Sequence, residues 1–213
     1  MKTEEFITLL ATGVKPVEAG ATARRYSLAL GWGGLGAMLM MAAFLGVRAD
    51  LAEAVRLPMF WVKLGFPLCV AVAAFYGAMR LSRPGVPLGR VPIALATPVV
   101  ALWLLAAVVL LSAAPDQRLA LLLGGTWAVC PFLIAVLSAP VFGGTFWAMK
   151  GLAPTRPSLA GAVAGLLAGA VATAVYALHC PEMAAPFLAT WYLFGMLIPA
   201  AVGALLGPRL LRW

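Results

Sequence analysis

The sequence predicts an all-α fold: a polytopic membrane protein with six transmembrane helices in one bundle and both termini cytoplasmic. Three observations predict it. First, 64% of the 213 residues are hydrophobic and only 10% are charged, with a mean hydropathy of +1.02. So few charges cannot supply the polar coat of a water-soluble domain. Second, the apolar residues come in runs near the ~20 residues that a bilayer core demands, separated by short charged patches. Third, the basic residues gather at the ends of those runs, mostly on one side. The chain divides into a cytoplasmic N-terminal segment, 1–25, and one six-helix transmembrane domain, 26–213.

The first span runs from about Tyr26 to Val47 and ends at "RADLAEAVR". The second covers Pro58 to Met79 and ends at "RLSRPGVPLGR"; the third covers Val91 to Ser112 and is closed by "APDQR". The fifth spans Ser158 to Leu178 and the sixth Phe187 to Leu206, closed by "GPRLLRW". Each bonds its own backbone as a helix, as hydrocarbon requires. The fourth needs an argument, because Arg118 and Lys150 bracket more residues than one crossing uses. Counting back about 20 residues from Lys150 starts the helix near Val129. "LALLLGGTWAV" is then an interfacial segment, broken at Gly124 and Gly125, with Trp127 at headgroup depth. The alternative is one long tilted helix with a proline kink. The choice decides the depth of Cys130.

Lys2, Lys15, Arg24, Arg25, Arg80, Arg83, Arg90, Lys150, Arg156, Arg209 and Arg212 fall on one side of this arrangement. Arg48, Arg56 and Arg118 fall on the other, with Asp50, Glu53, Asp116 and Glu182. The richer side is cytoplasmic by the positive-inside rule. The net charge of +8 is therefore distributed as topology signals, not as a nucleic-acid-binding face. The start does not read as a cleavable signal, since Glu4 and Glu5 interrupt a basic n-region and the first apolar run is long enough to span.

No catalytic constellation emerges, so the chain is not expected to be an enzyme or to hold a cofactor. It has no CxxC, no His pair at helical spacing and no glycine-rich phosphate loop. No span carries the paired charges of an ion pathway. Lys63 lies inside the second span, about one and a half turns from its outer end, and reads as a snorkelling side chain. Gly161, Gly165 and Gly169 form a smooth face on the fifth span, and Gly203 and Gly207 one on the sixth. That spacing serves close helix packing within the chain; a homodimer seam is the alternative.

Scarce polar chemistry collects at "YALHCPEMAAPFLATWY", residues 176–192, on the outer side. Cys180 lies at the outer end of the fifth span, and Cys130 lies at matching depth if the fourth starts near Val129. Such thiols are able to meet in an oxidising compartment, provided their Cα atoms come within about 7 Å. His179, Cys180 and Glu182 also supply metal-ligating donors, but adjacent residues point apart and no second ligand pair exists. The plainer reading is a helix stop at Pro181 with Glu182 in solvent. Cys69, mid-span, reads as a small apolar filler.

At the cytoplasmic end, "KTEEFITLLATGVKPVEAG" reads as a short amphipathic helix. Thr3 caps it, Glu4 and Glu5 suit its dipole, Phe6, Leu9 and Leu10 share a face, and Gly13 and Pro16 stop it. Two to three turns do not stay folded alone in water, so the helix must dock. Acids beside the apolar face disfavour anionic lipid and favour a protein groove.

The short N-terminal helix followed by "ARR", the segment "APTRPSLAGAVAGLLAGA", the outward "YALHCPE", the pair Trp191–Tyr192 and the closing "GALLGPRLLRW" resemble the bacterial family called negative regulator of sigma F. The resemblance covers nearly the whole chain and is densest from Lys150 onward. It implies a multi-pass inner-membrane anti-sigma factor. The N-terminal segment, with Phe6, Leu9, Leu10, Arg24 and Arg25 as candidate contacts, holds an extracytoplasmic-function sigma factor, and outward stress releases it. Cys130 and Cys180 match the family pattern, whereas Cys69 is extra. Together these readings place a redox or soft-metal sensor at Cys130, Cys180, His179 and Glu182, with His179 lowering the Cys180 pKa by proximity. The partners expected are the sigma factor and the bilayer, with no nucleic acid directly. The rival readings are a small transporter, or a membrane scaffold without a transcriptional role.

Overall fold

The computed structural model describes residues 3–12, 20–152 and 154–212, which form helices and no strand. Helix α1 covers Thr3–Ala11 and α2 covers Ala21–Leu45, its last five residues as a π turn. A four-residue α3, Leu51–Ala54, precedes α4, Pro58–Leu81. Helix α5 is Val91–Ser112 and α6 is Pro115–Leu123. Helices α7, Cys130–Leu137, and α8, Ala139–Lys150, follow with a 43° bend between them. Helix α9 is Pro157–Tyr176, and α10 is Ala185–Leu210 with a π turn at Leu188–Tyr192.

Five of these helices are long and apolar enough to cross a membrane, and the bent pair α7–α8 is a sixth if it is counted as one span. Large apolar side chains cover the outside: Trp32 is 72% exposed, Phe44 81% and Leu111 77%. Water would penalise such a surface heavily.

The break before the fourth apolar run lies where expected. Gly124 adopts φ 56°, left-handed backbone that glycine accepts without strain, and ends α6. Helix α7 then starts at Cys130, with Pro131 in its first turn, where a missing N–H costs nothing. The single long helix is thus excluded. A bend instead falls at Ser138, ahead of Pro140, whose ring removes one helical donor.

Helix α9 is the most buried span and shares its widest packing with α10. A Cβ at Gly161 would overlap the Gly203 carbonyl, one at Gly165 the Pro199 carbonyl, and one at Gly207 the Pro157 carbonyl. At Gly169 it would lie 2.9 Å from the Met196 Cα. The glycine faces therefore meet each other within one chain, backbone against backbone. A second close approach, along Ala29, Gly33 and Ala37 at every fourth residue of α2, joins α2 to α8. There a Cβ at Gly33 would come 2.7 Å from the Val141 Cα, and one at Gly144 2.9 Å from the Ala29 carbonyl oxygen.

The bundle has two distinct ends. At one, the Tyr26 hydroxyl bonds Ser82 at 2.9 Å, Arg80 donates to the Pro87 carbonyl, and Gly207 meets Pro157. At the other, the end of α2, the starts of α4 and α7, and the 177–184 loop converge. Helix α5 is the least buried span and packs on α4 and on the first turns of α10.

Candidate functional site

The 177–184 loop begins where α9 runs out of donors. The His179 and Cys180 amides still bond the Tyr176 carbonyl, at 2.9 and 3.0 Å, and Pro181 has no N–H with which to continue. Other segments then tie the loop down. The Arg48 amide donates to the Leu178 carbonyl at 3.1 Å, and the His179 ring Nδ1 bonds the Gly46 carbonyl at 2.9 Å. Glu182 reaches the turn before α7, and beyond the loop Trp191 of α10 donates from its indole to the Leu122 carbonyl of α6 at 2.9 Å.

Lys63 does not snorkel. It is fully buried. Its ammonium turns inward from α4 and donates to the carbonyls of Cys180 and Glu182, the latter at 2.9 Å. The Tyr192 ring lies beneath it, 5.8 Å from Nζ to centroid. Snorkelling fails because the loop brings two backbone acceptors within reach, and a desolvated ammonium needs such partners more than it needs distance.

A second cation shares the load. Arg48, its side chain only 7% exposed, donates Nη1 to the same Cys180 carbonyl at 3.2 Å and pairs with Asp50 through two 2.7 Å bonds. The guanidinium hydrogen bond holds the Asp50 carboxyl down at about 2, and the same pairing raises the Arg48 pKa.

Cys130 and Cys180 come to this one end, both reduced and both fully buried. The Tyr176 and Tyr192 rings, both fully buried, meet edge-on 6.0 Å apart at this end, and among the described residues the Tyr192 hydroxyl has no hydrogen-bond partner. Cys69 points the other way. Instead of filling the core, it is exposed on the outer face of α4 beside Pro98 and Leu102 of α5.

The site residues around the cysteines diverge. His179 turns to Gly46 and stacks obliquely near Tyr176, whereas Glu182 turns toward α7. Among the described residues no group of three or more His, Cys, Asp or Glu converges as metal ligands. Glu182 is not in solvent either. Half-buried, it accepts the Gly125 amide at 2.7 Å and faces the Thr126 hydroxyl at 3.4 Å. Gly124 makes room for it, since a Cβ there would lie 2.7 Å from a Glu182 carboxylate oxygen.

At the other end of the chain, α1 has no buried residue, with Phe6 46%, Leu9 64% and Leu10 60% exposed. Its expected stops, Gly13 and Pro16, and the charges Lys2 and Lys15 lie outside the described residues. Arg24 is exposed on the first turn of α2. Arg25 instead packs into the bundle, its guanidinium 5.1 Å from the centre of a Trp147 ring and 3.4 Å from the Trp147 carbonyl.

Sequence reasoning missed Lys63, Arg48 and Tyr176. The available signal was that Lys63 is the only charge well inside a span, and an ionisable residue at such depth is a functional candidate by default.

No solved structure matches the chain. It is 58% identical to the "Probable anti-sigma-F factor NrsF" of Azospira oryzae over 213 residues, covering the whole of both chains. It is 38% identical to the "Anti-sigma-F factor NrsF" of Caulobacter vibrioides over 215 aligned positions, again covering both chains fully. The sequence model of the family described as negative regulator of sigma F matches residues 10–213, and the chain belongs to that family.

Proposed function

We propose that this chain is a multi-pass anti-sigma factor of the bacterial inner membrane. It holds an extracytoplasmic-function sigma factor through its cytoplasmic N-terminal segment and releases it when stress reaches Cys130 and Cys180 on the outer side. The anti-sigma role follows the names carried by its full-length relatives. The observation that carries the mode of binding is α1: a short helix with Phe6, Leu9 and Leu10 exposed, attached to an otherwise packed bundle. An apolar helix face left exposed among the described residues suits a groove on another protein. The end bearing Arg80, Arg83, Lys150, Arg156 and Arg209 carries the basic excess and faces the cytoplasm. The thiol loop, at the opposite end of the bundle, then faces outward. The glycine seam is consumed between α9 and α10, which supports a bundle complete in one copy.

Sensing works through the buried pair. An oxidant such as a peroxide takes two electrons and two protons from the thiols, which join as a disulfide, or a soft metal displaces the two protons and bridges the sulfurs. Both thiols are shielded, so the reactive form is a minor one in which the loop has lifted. Trapping that form repacks α7 against α9. A few kcal/mol of differential stability is enough to shift the bound population.

The test is a transcript that depends on the sigma factor. Replacing Phe6, Leu9 and Leu10 together by Asp gives constitutive transcription, equal to that of a strain lacking the chain. Unchanged repression by that variant refutes binding through α1.

A further inference from the structure

The geometry points to Lys63 as the positioning residue that holds the Cys180 loop in the sigma-retaining arrangement and sets the strength of stimulus needed to lift it. The assignment rests on the anti-sigma reading above. Lys63 is the one charged side chain among the described residues that is fully buried. Among the described residues no carboxylate forms an ion pair with its ammonium. Two of its donors go to the carbonyls of Cys180 and Glu182, on either side of Pro181, and the Tyr192 ring closes another side at 5.8 Å.

Those two carbonyls belong to the residues that carry the rest of the site. Cys180 supplies one buried thiol. Glu182 passes the restraint on, because its carboxylate holds the Gly125 amide in the turn that leads to Cys130. One ammonium on α4 therefore anchors both thiol-bearing segments. Arg48 grips the Cys180 carbonyl from the α2 side, so α4 and α2 close on the same peptide group.

A packing role does not account for Lys63. Methionine would fill a similar volume without burying a charge, but it would leave the Cys180 and Glu182 carbonyls without their donor. What lysine adds is direction: it fixes two acceptors at defined points, as a buried polar network does when its members are satisfied. The same ammonium, released from those carbonyls, no longer holds the loop over thiols that are otherwise wholly shielded.

The test uses the full chain in its native membrane, with its sigma factor present and a sigma-dependent transcript as the readout. Lys63→Met is expected to raise the unstressed transcript and lower the peroxide dose for half-maximal release. It should also label Cys180 faster with a maleimide in a Cys69→Ser background, on the order of tenfold, the ratio that one lost charged hydrogen bond supports. Lys63→Arg, which keeps donors toward the carbonyls, is expected to fall between it and the natural protein. If Lys63→Met does not accumulate, Lys63→Gln, shorter by one bond and unable to reach both carbonyls, takes its place with the same expectations. A variant present at normal level with unchanged dose response and unchanged labelling overturns the assignment. So does one whose thermal stability falls while dose and labelling stay put, since that is a purely structural role. If deleting the whole chain leaves the transcript unchanged, the anti-sigma reading fails, and the labelling rates still decide the role of Lys63.

Discussion

The Glu182 carboxylate accepts the Gly125 amide at 2.7 Å across 57 residues of sequence, joining the loop of one candidate sensor cysteine to the turn that introduces the other. The positions of Cys130 and Cys180 relative to each other are thus set by this bond and not by the helices alone. It gives the site a part that is removable without touching either thiol.

Glu182→Ala therefore loosens the thiol pair. Loss of a charge-assisted bond in a half-buried setting costs about 1–2 kcal/mol. Faster maleimide labelling of both Cys130 and Cys180 is the expected readout. Glu182→Gln, which still accepts the amide, shows a smaller rise.

The glycine seam predicts a graded set of stability losses. Gly161→Ala forces its Cβ into the Gly203 carbonyl, so α9 and α10 must part, at about 1–3 kcal/mol. Gly143→Ala, which meets nothing within 4 Å, gains helix propensity and should not destabilise. Thermal unfolding in detergent separates the two.

The cysteines differ in what they should do. Cys130→Ser or Cys180→Ser abolishes induction by peroxide while leaving repression in place, whereas Cys69→Ser, on the outer face of α4, leaves the dose response unchanged. Sigma-dependent transcription against dose measures all three.

The Arg48–Asp50 pair predicts an acid limit. The Asp50 pKa is depressed from its ordinary 3.8 to about 2, so the folded state favours the ionised form. Its contribution is complete above about pH 4 and fades as the pH falls through 2. Amide exchange at Leu178, Cys180 and Glu182, corrected for intrinsic rate, should quicken as the pH falls from 4 through 2.

Much of this architecture is legible in the sequence because bilayer-length apolar runs declare themselves. The third span, Val91–Ser112, coincides with α5 residue for residue, and counting back from Lys150 located the start of α7 to within one residue. Direction around a helix is what the sequence conceals. In a span that is apolar on every side, periodicity does not say which way a lone Lys63 or Cys69 points, and each proved to face opposite to expectation. Glu182 likewise looks solvent-bound until Gly124 is seen to clear its space. Gly33 is legible by the same rule, since Ala29, Gly33 and Ala37 recur every four residues, but alanine is too common in these spans for that repeat to stand out.

The most direct test of the central claim is co-purification of the sigma factor with the full chain, extracted from unstressed membranes. A sigma factor should come down with the natural protein and be lost when Phe6, Leu9 and Leu10 are changed to Asp. Recovery of the sigma factor at equal yield with both proteins, or its absence from both, would contradict the account.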